Sequence, residues 1–167
     1  MSNAKPTYDE HSLLKSIAEK IFAIEYIAKG DLKSAFSDIY GKRESILALS
    51  VAMWEYMSKL NQFNSKYKEI FGKDIYRQMH NFRNVIAHDY NTFKPNVATY
   101  SLRFCMKRIK FILKNNFEVA FNAGYGAYKS NVRYKESNNQ KSNLAENIQS
   151  TKNRVFVEQG NNIDFKM

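Results

Sequence analysis

The sequence predicts an all-α protein, and three observations carry that prediction. Among 167 residues there are only two prolines and six glycines, too few for a collagenous chain or a turn-rich β fold. Phe, Tyr, Leu, Ile and Met are abundant, and over most of the chain they recur three and four residues apart, the period of one helix face. Between these runs, isolated Gly, Asn and Pro fall where helices must stop.

The elements follow in order. Residues 1 to 6 read as a loose leader. Thr7 and Glu10 have capping-box spacing, so a helix is expected from about Tyr8. Its apolar stripe is Leu13, Leu14, Ile17, Ile21, Ile24 and Ile27 or Ala28, and Lys29-Gly30 supplies a cation and a glycine at the stop. Asp31 to Tyr40 offers Leu32, Phe36 and Ile39 to one side of a brief helix, which Gly41 ends. From Lys42 to about Leu60 apolar residues surround most of the circumference (Ile46, Leu47, Leu49, Val51, Met53, Trp54, Met57), the pattern of a helix buried on several sides. Residues 61 to 73 are a polar connector with room for a helical turn around Tyr67, Ile70 and Phe71. Asp74 then caps a long helix to about Tyr90, and Pro95 opens another that runs from Asn96 to about Phe121. Tyr26, Tyr56 and Tyr100 lie at helical spacing and are expected in core or dimer packing, and Cys105 as a small core residue.

Beyond Gly124 the composition turns to Asn, Ser, Lys and Gln without periodicity. A helical body over 1–121 and a polar, flexible C-terminal extension over 122–167 are expected. Within the extension, Arg154–Val157 and Ile163–Phe165 are apolar islands that either pack weakly on the body or dock on a partner.

Charge narrows the function. Lys and Arg number 26 against 16 Asp and Glu, a net charge of +10, which favours polyanions such as nucleic acid or an acidic protein. One cysteine cannot form an internal disulfide. No run approaches the roughly 18 apolar residues of a membrane span, and the Met1 terminus lacks the apolar core of a signal peptide. A cytoplasmic protein without a membrane partner is expected.

The helix opened by Asp74 carries the chemistry. At about 100° per residue, Tyr76, His80, Ala87 and Tyr90 fall within about 60° of Arg83, and Arg77, Asn84 and His88 lie just beyond. Ile75, Met79, Phe82, Val85 and Ile86 occupy the opposite side. Asp89 projects onto that apolar side. The polar face offers guanidinium forks for phosphate, imidazoles titrating near neutrality and rings for bases to stack on. Cleaving RNA without a metal needs an acid or base near neutral pH and a cation for the developing phosphorane charge, roles His88 and Arg83 can fill. A zinc site is not expected, because His80 and His88 stand eight residues apart with no nearby Cys or Glu. No cofactor motif is present, and no serine-type nucleophile elbow either. The basic residues Arg103, Lys107, Arg108, Lys110 and Lys114 either extend an RNA track or form a solvated face.

The string Phe82-Arg-Asn-Val-Ile-Ala-His-Asp-Tyr90 resembles the R-N-x-x-x-H-x-Y signature of HEPN-domain proteins, specifically the HepT-like toxins. The resemblance spans about residues 8 to 116, taking in the order of helices as well as the motif. It implies an up-and-down bundle of four or five helices that forms a homodimer, with two motif helices facing across a cleft. It further implies a metal-independent endoribonuclease toxin paired with a small nucleotidyltransferase antitoxin. Arg83 and His88 would be the catalytic pair, with Asn84 as the polar residue beside the arginine, and His80 and Arg77 of the same polar face are expected to support them or contact RNA. Tyr90 would be the tyrosine that the antitoxin modifies with AMP, bringing a phosphate onto the stripe of Arg83. Asp89 departs from the pattern, since a small residue such as glycine is frequent there, and its carboxylate would repel RNA. The alternative is a non-catalytic HEPN subunit that binds the nucleotidyltransferase and presents substrate or nucleotide to it.

Overall fold

In the computed structural model, residues 9–88 and 93–160 are described, with the side chains of 88 and 151–160 excepted. Seven α-helices occupy them: α1 (Glu10–Ala28), α2 (Leu32–Ser37), α3 (Lys42–Phe63), α4 (Lys66–Phe71), α5 (Lys73–His88), α6 (Pro95–Asn116) and α7 (Glu118–Gly160). Among the described residues there is no strand, so the all-α class holds. No helix of these residues is long and apolar enough to cross a membrane.

Helix ends follow local chemistry. At α1 the cap is Asp9, whose carboxylate accepts the amide of Ser12 at 2.6 Å. That bond and the nearby Ser12 side chain hold the Asp9 carboxyl below its usual range. The capping role therefore falls two residues after the Thr7 expected from sequence, which lies outside the described residues. Asp31 caps α2 in the same way through Ser34. The α1 stop is where Lys29-Gly30 places it, with both residues left-handed (φ 48° and 81°), a conformation that favours glycine. Asp74 is not the cap of α5. It lies in the first turn, where its carboxylate meets Arg77 at 2.8 Å, a pairing available because residues three apart share a helix face.

The chain divides into two units, residues 1–128 and 129–167. In the first, α1 and α3 make the most extensive helix pair, and α5 lies against α3, α4 and α6. Leu13, Ile17, Ile21 and Ile24 of α1 are fully covered, as are Ile46, Met53, Met57 and Leu60 of α3, and Phe36, Met79 and Ile109 complete the same core. Burial of each such side chain contributes about 1.5–3 kcal/mol. The start of α7 joins this core through a close approach at Gly124. A Cβ there would stand 2.6 Å from both Ala18 Cβ and the Lys15 carbonyl oxygen. Around that contact Phe22 packs with Phe121 and Tyr125, ring centroids 5.2 and 4.9 Å apart.

In the second unit the polar C-terminal extension expected from sequence is helical, since residues 129–160 continue α7. The described side chains of 129–150 are almost all exposed. Because they bury nothing, no selection for an apolar stripe marks them, yet no proline interrupts 127–159. Once the first turns of a helix are formed, each added residue costs little. The island Arg154–Val157 falls in this helix, and Ile163–Phe165 lies outside the described residues.

The tyrosines expected in core or dimer packing divide. Tyr56 is half-buried against the core. Tyr100 is 75 % exposed and Tyr26 49 % exposed, the latter meeting Tyr128 at 6.0 Å. Neither is a core residue here, because the helical period that places them near the apolar stripe puts them at its edge.

Candidate functional site

The most reactive inventory lies on α5. Its apolar side enters the core through Ile75, Met79 and Phe82, as expected. Val85 and Ile86, further along, are only partly covered, and Val85 is 38 % exposed. Together with Phe82, Phe93, Val97 and Ser101 it lines a cavity of about 250 Å³.

On the polar side the structure separates one predicted member from the rest. Tyr76 is buried, not part of an open face. Its hydroxyl donates to the Met57 carbonyl of α3 at 2.9 Å, and burial raises its hydroxyl pKa well above the ordinary phenol value. The reason is local. The first half of α5 is covered by α3 and α4, so the polar stripe opens to solvent only from Arg77 and His80 onward.

Within that stripe His80, Arg83 and Asn84 form a contiguous group. Asn84 Nδ2 and His80 Nε2 are 3.0 Å apart, and Arg83 Nη1 approaches Asn84 Oδ1 at 3.5 Å. The Asn84–His80 link spans four residues, one turn of α5, and orients the imidazole. The His80 ring also meets Trp54 of α3, centroids 5.3 Å apart, and Trp54 in turn meets Tyr76 edge-on at 5.9 Å. The half-buried Arg83 has no carboxylate within ion-pair distance among the described residues, and a guanidinium is a fork suited to an anion. Arg77 differs, since Asp74 pairs with it, both about three-quarters exposed. Such a pair contributes little stability. It does lower the effective charge that Arg77 presents.

His88 is the last residue of α5, five residues beyond Arg83 and hence about 7.5 Å along the axis. Asp89, Tyr90 and the His88 side chain lie outside the described residues.

The other candidates are settled by burial. Cys105 is 1 % exposed, near Gln78 Oε1 at 3.7 Å, and burial pushes its thiol up to about 12. It is a core residue, as expected. Of the basic residues of α6, Arg103, Lys107, Arg108 and Lys114 are exposed and Lys110 is half-buried. Arg103, Lys107, Lys110 and Lys114 line a cavity of about 630 Å³ together with Ile24, Leu32, Met106 and Phe111. Lys110 is held there by Glu25 at 2.7 Å, while Arg108 turns to a different cavity beside Phe71.

Sequence reasoning missed Trp54, Asn61, Lys68 and Lys73, which surround His80 in a further cavity. In sequence Trp54 is one apolar residue among those of α3. A lone indole beside polar residues on the next helix has no signature within its own segment.

The fold and this face define an all-α protein with a cationic, histidine-bearing helix surface. No protein-family model matches the chain, and neither a curated protein sequence nor a solved structure matches it significantly.

Proposed function

We propose that the protein is a metal-independent endoribonuclease toxin of the HEPN type, acting as a homodimer and restrained by a nucleotidyltransferase antitoxin. The observation that carries the reading is the placement of Arg83, Asn84 and His88 of the R-N-x-x-x-H-x-Y string on one helix, with a guanidinium that pairs with no carboxylate among the described residues beside the Asn84–His80 pair. In this mechanism Arg83 binds the scissile phosphate and stabilises the charge gathering on the phosphorane. His88 takes the proton from the ribose 2′-hydroxyl as that oxygen attacks phosphorus. The P–O5′ bond breaks, the 5′-oxygen gains a proton, and a 2′,3′-cyclic phosphate remains. The apolar Val85 and Val97, 38 % and 61 % exposed beside the motif, are side chains that a dimer face would cover. The net charge of +10 supplies general affinity for RNA.

A second reading, a non-catalytic subunit that binds the nucleotidyltransferase, is favoured by Asp89, whose carboxylate next to the motif opposes RNA. The two separate in a cleavage assay with purified protein in EDTA. The nuclease reading expects cyclic-phosphate ends that His88→Ala abolishes, and cleavage retained by that variant refutes it. If neither protein cuts RNA while a nucleotidyltransferase modifies Tyr90, the non-catalytic subunit is the better description.

A further inference from the structure

Between α3, α4 and the first half of α5 lies a cavity of about 480 Å³, within the range of roughly 300–1,000 Å³ typical of small-molecule sites. Its lining is of three kinds. Trp54 and His80 present aromatic rings already in contact with each other. Asn61 contributes an amide whose Oδ1 is enclosed and has no hydrogen-bond partner, a costly state that a donor group of a ligand would relieve. Lys68, Lys73 and Arg77 supply cations. Asp74 also lines the cavity, but its carboxylate is paired with Arg77 at 2.8 Å, and the two lysines have no carboxylate partner among the described residues.

We propose that this cavity binds a nucleoside phosphate, the base against Trp54 and His80 with its amino edge towards Asn61, and the phosphate on Lys68 and Lys73. Each part of the lining has its counterpart in that ligand class. Aromatic faces stack bases of any identity, lysine ammonium groups bind phosphate as point charges, and an amide oxygen accepts from an exocyclic amine. A purely apolar ligand would leave the lysines and Asn61 unmatched. An acidic peptide would leave the indole–imidazole pair unmatched. The pocket lies one helical turn before Arg83, so an RNA strand with its scissile phosphate at Arg83 passes it. In that form the proposal rests on the ribonuclease reading and names a base-selecting pocket for it. A free nucleotide has the same chemistry, and the experiment distinguishes the two sources.

Trp54 is the single tryptophan of the chain, so its fluorescence reports on this pocket alone. The full-length protein is titrated with AMP and, separately, with a 2′-O-methyl hexaribonucleotide, which cannot be cleaved by 2′-hydroxyl attack. Saturable quenching is expected. Lys68→Glu/Lys73→Glu, two exposed positions where folding is not at stake, should weaken it at least about tenfold. Trp54→Leu, followed by calorimetry, should weaken binding about 5- to 150-fold, the range that loss of one base–aromatic stack produces. Equal quenching by both probes assigns a free nucleotide, and quenching by the hexamer alone assigns a unit of RNA. Absence of quenching by either up to about 10 mM, weaker than any useful affinity, overturns the proposal, as does quenching that the double lysine variant leaves unchanged. His88→Ala separates the two readings. It should lose cleavage and keep quenching, and a pocket that fails the titration leaves the cleavage result standing.

Discussion

Gly124 sets a sharp test of how α7 is joined to the body. Replacing it with alanine places a methyl 2.6 Å from Ala18 Cβ and from the Lys15 carbonyl oxygen, where ordinary contact is 3.4–4 Å. Either α1 and α7 separate by about 1 Å or the backbone bends, since one obstacle is main chain and cannot rotate away. Separation also loosens the rings of Phe22, Phe121 and Tyr125. Overpacking of this kind costs about 1–3 kcal/mol, while alanine in place of glycine inside a helix returns up to about 1 kcal/mol. The net expectation is a loss of about 1–2 kcal/mol, or roughly 2–8 °C in Tm for a chain of this length. Gly126, on the same helix, has nothing within 4 Å of its Cβ position. Gly126→Ala should therefore gain about 0.5–1 kcal/mol from propensity alone. Comparing the two cancels the propensity term and leaves the packing term, to be read by thermal and urea unfolding of both variants. Gly124→Ala as stable as Gly126→Ala would refute the close crossing.

Other expectations are more local. Tyr76→Phe removes the hydroxyl that donates to Met57 and should cost about 0.5–1.5 kcal/mol in urea unfolding, whereas an exposed member of the polar face would cost nothing. Cys105, buried with its thiol pushed up to about 12, should resist a thiol reagent at pH 8 until the protein unfolds, and rapid labelling of the native protein would contradict its place in the core. The same shift makes stability depend on pH. The Cys105 thiol and the Tyr67 hydroxyl, raised to about 12 by burial and by its hydrogen bond to Glu10, both stay protonated in the folded state while the unfolded chain releases those protons from about pH 9 upward. Their contribution is full below pH 9 and is lost as pH rises towards 12. The urea midpoint should fall across that window, and a midpoint flat between pH 9 and 12 would oppose the assignment.

The parts of the fold legible in the sequence are those where burial writes a period. Leu13, Ile17, Ile21 and Ile24 mark α1, and Lys29-Gly30 marks its end, because core contact demands a stripe and the left-handed turn demands glycine. Helix α7 beyond Tyr128 was illegible for the converse reason, since it buries almost nothing and so carries no stripe. The candidate site shows the same division. His80, Arg83 and Asn84 share a face by arithmetic on one helix. Tyr76 leaves that face because α3 and α4 cover it, and Trp54 and Asn61 approach it from another helix. Neither effect is contained in the periodicity of α5.

The most direct test of the proposed function is RNA cleavage by the purified protein in EDTA, wild type beside His88→Ala, with the product ends analysed. The account predicts 2′,3′-cyclic phosphate ends from the wild type and none from the variant, whose thermal unfolding should remain close to that of the wild type. Cleavage that persists in a folded His88→Ala protein would contradict it.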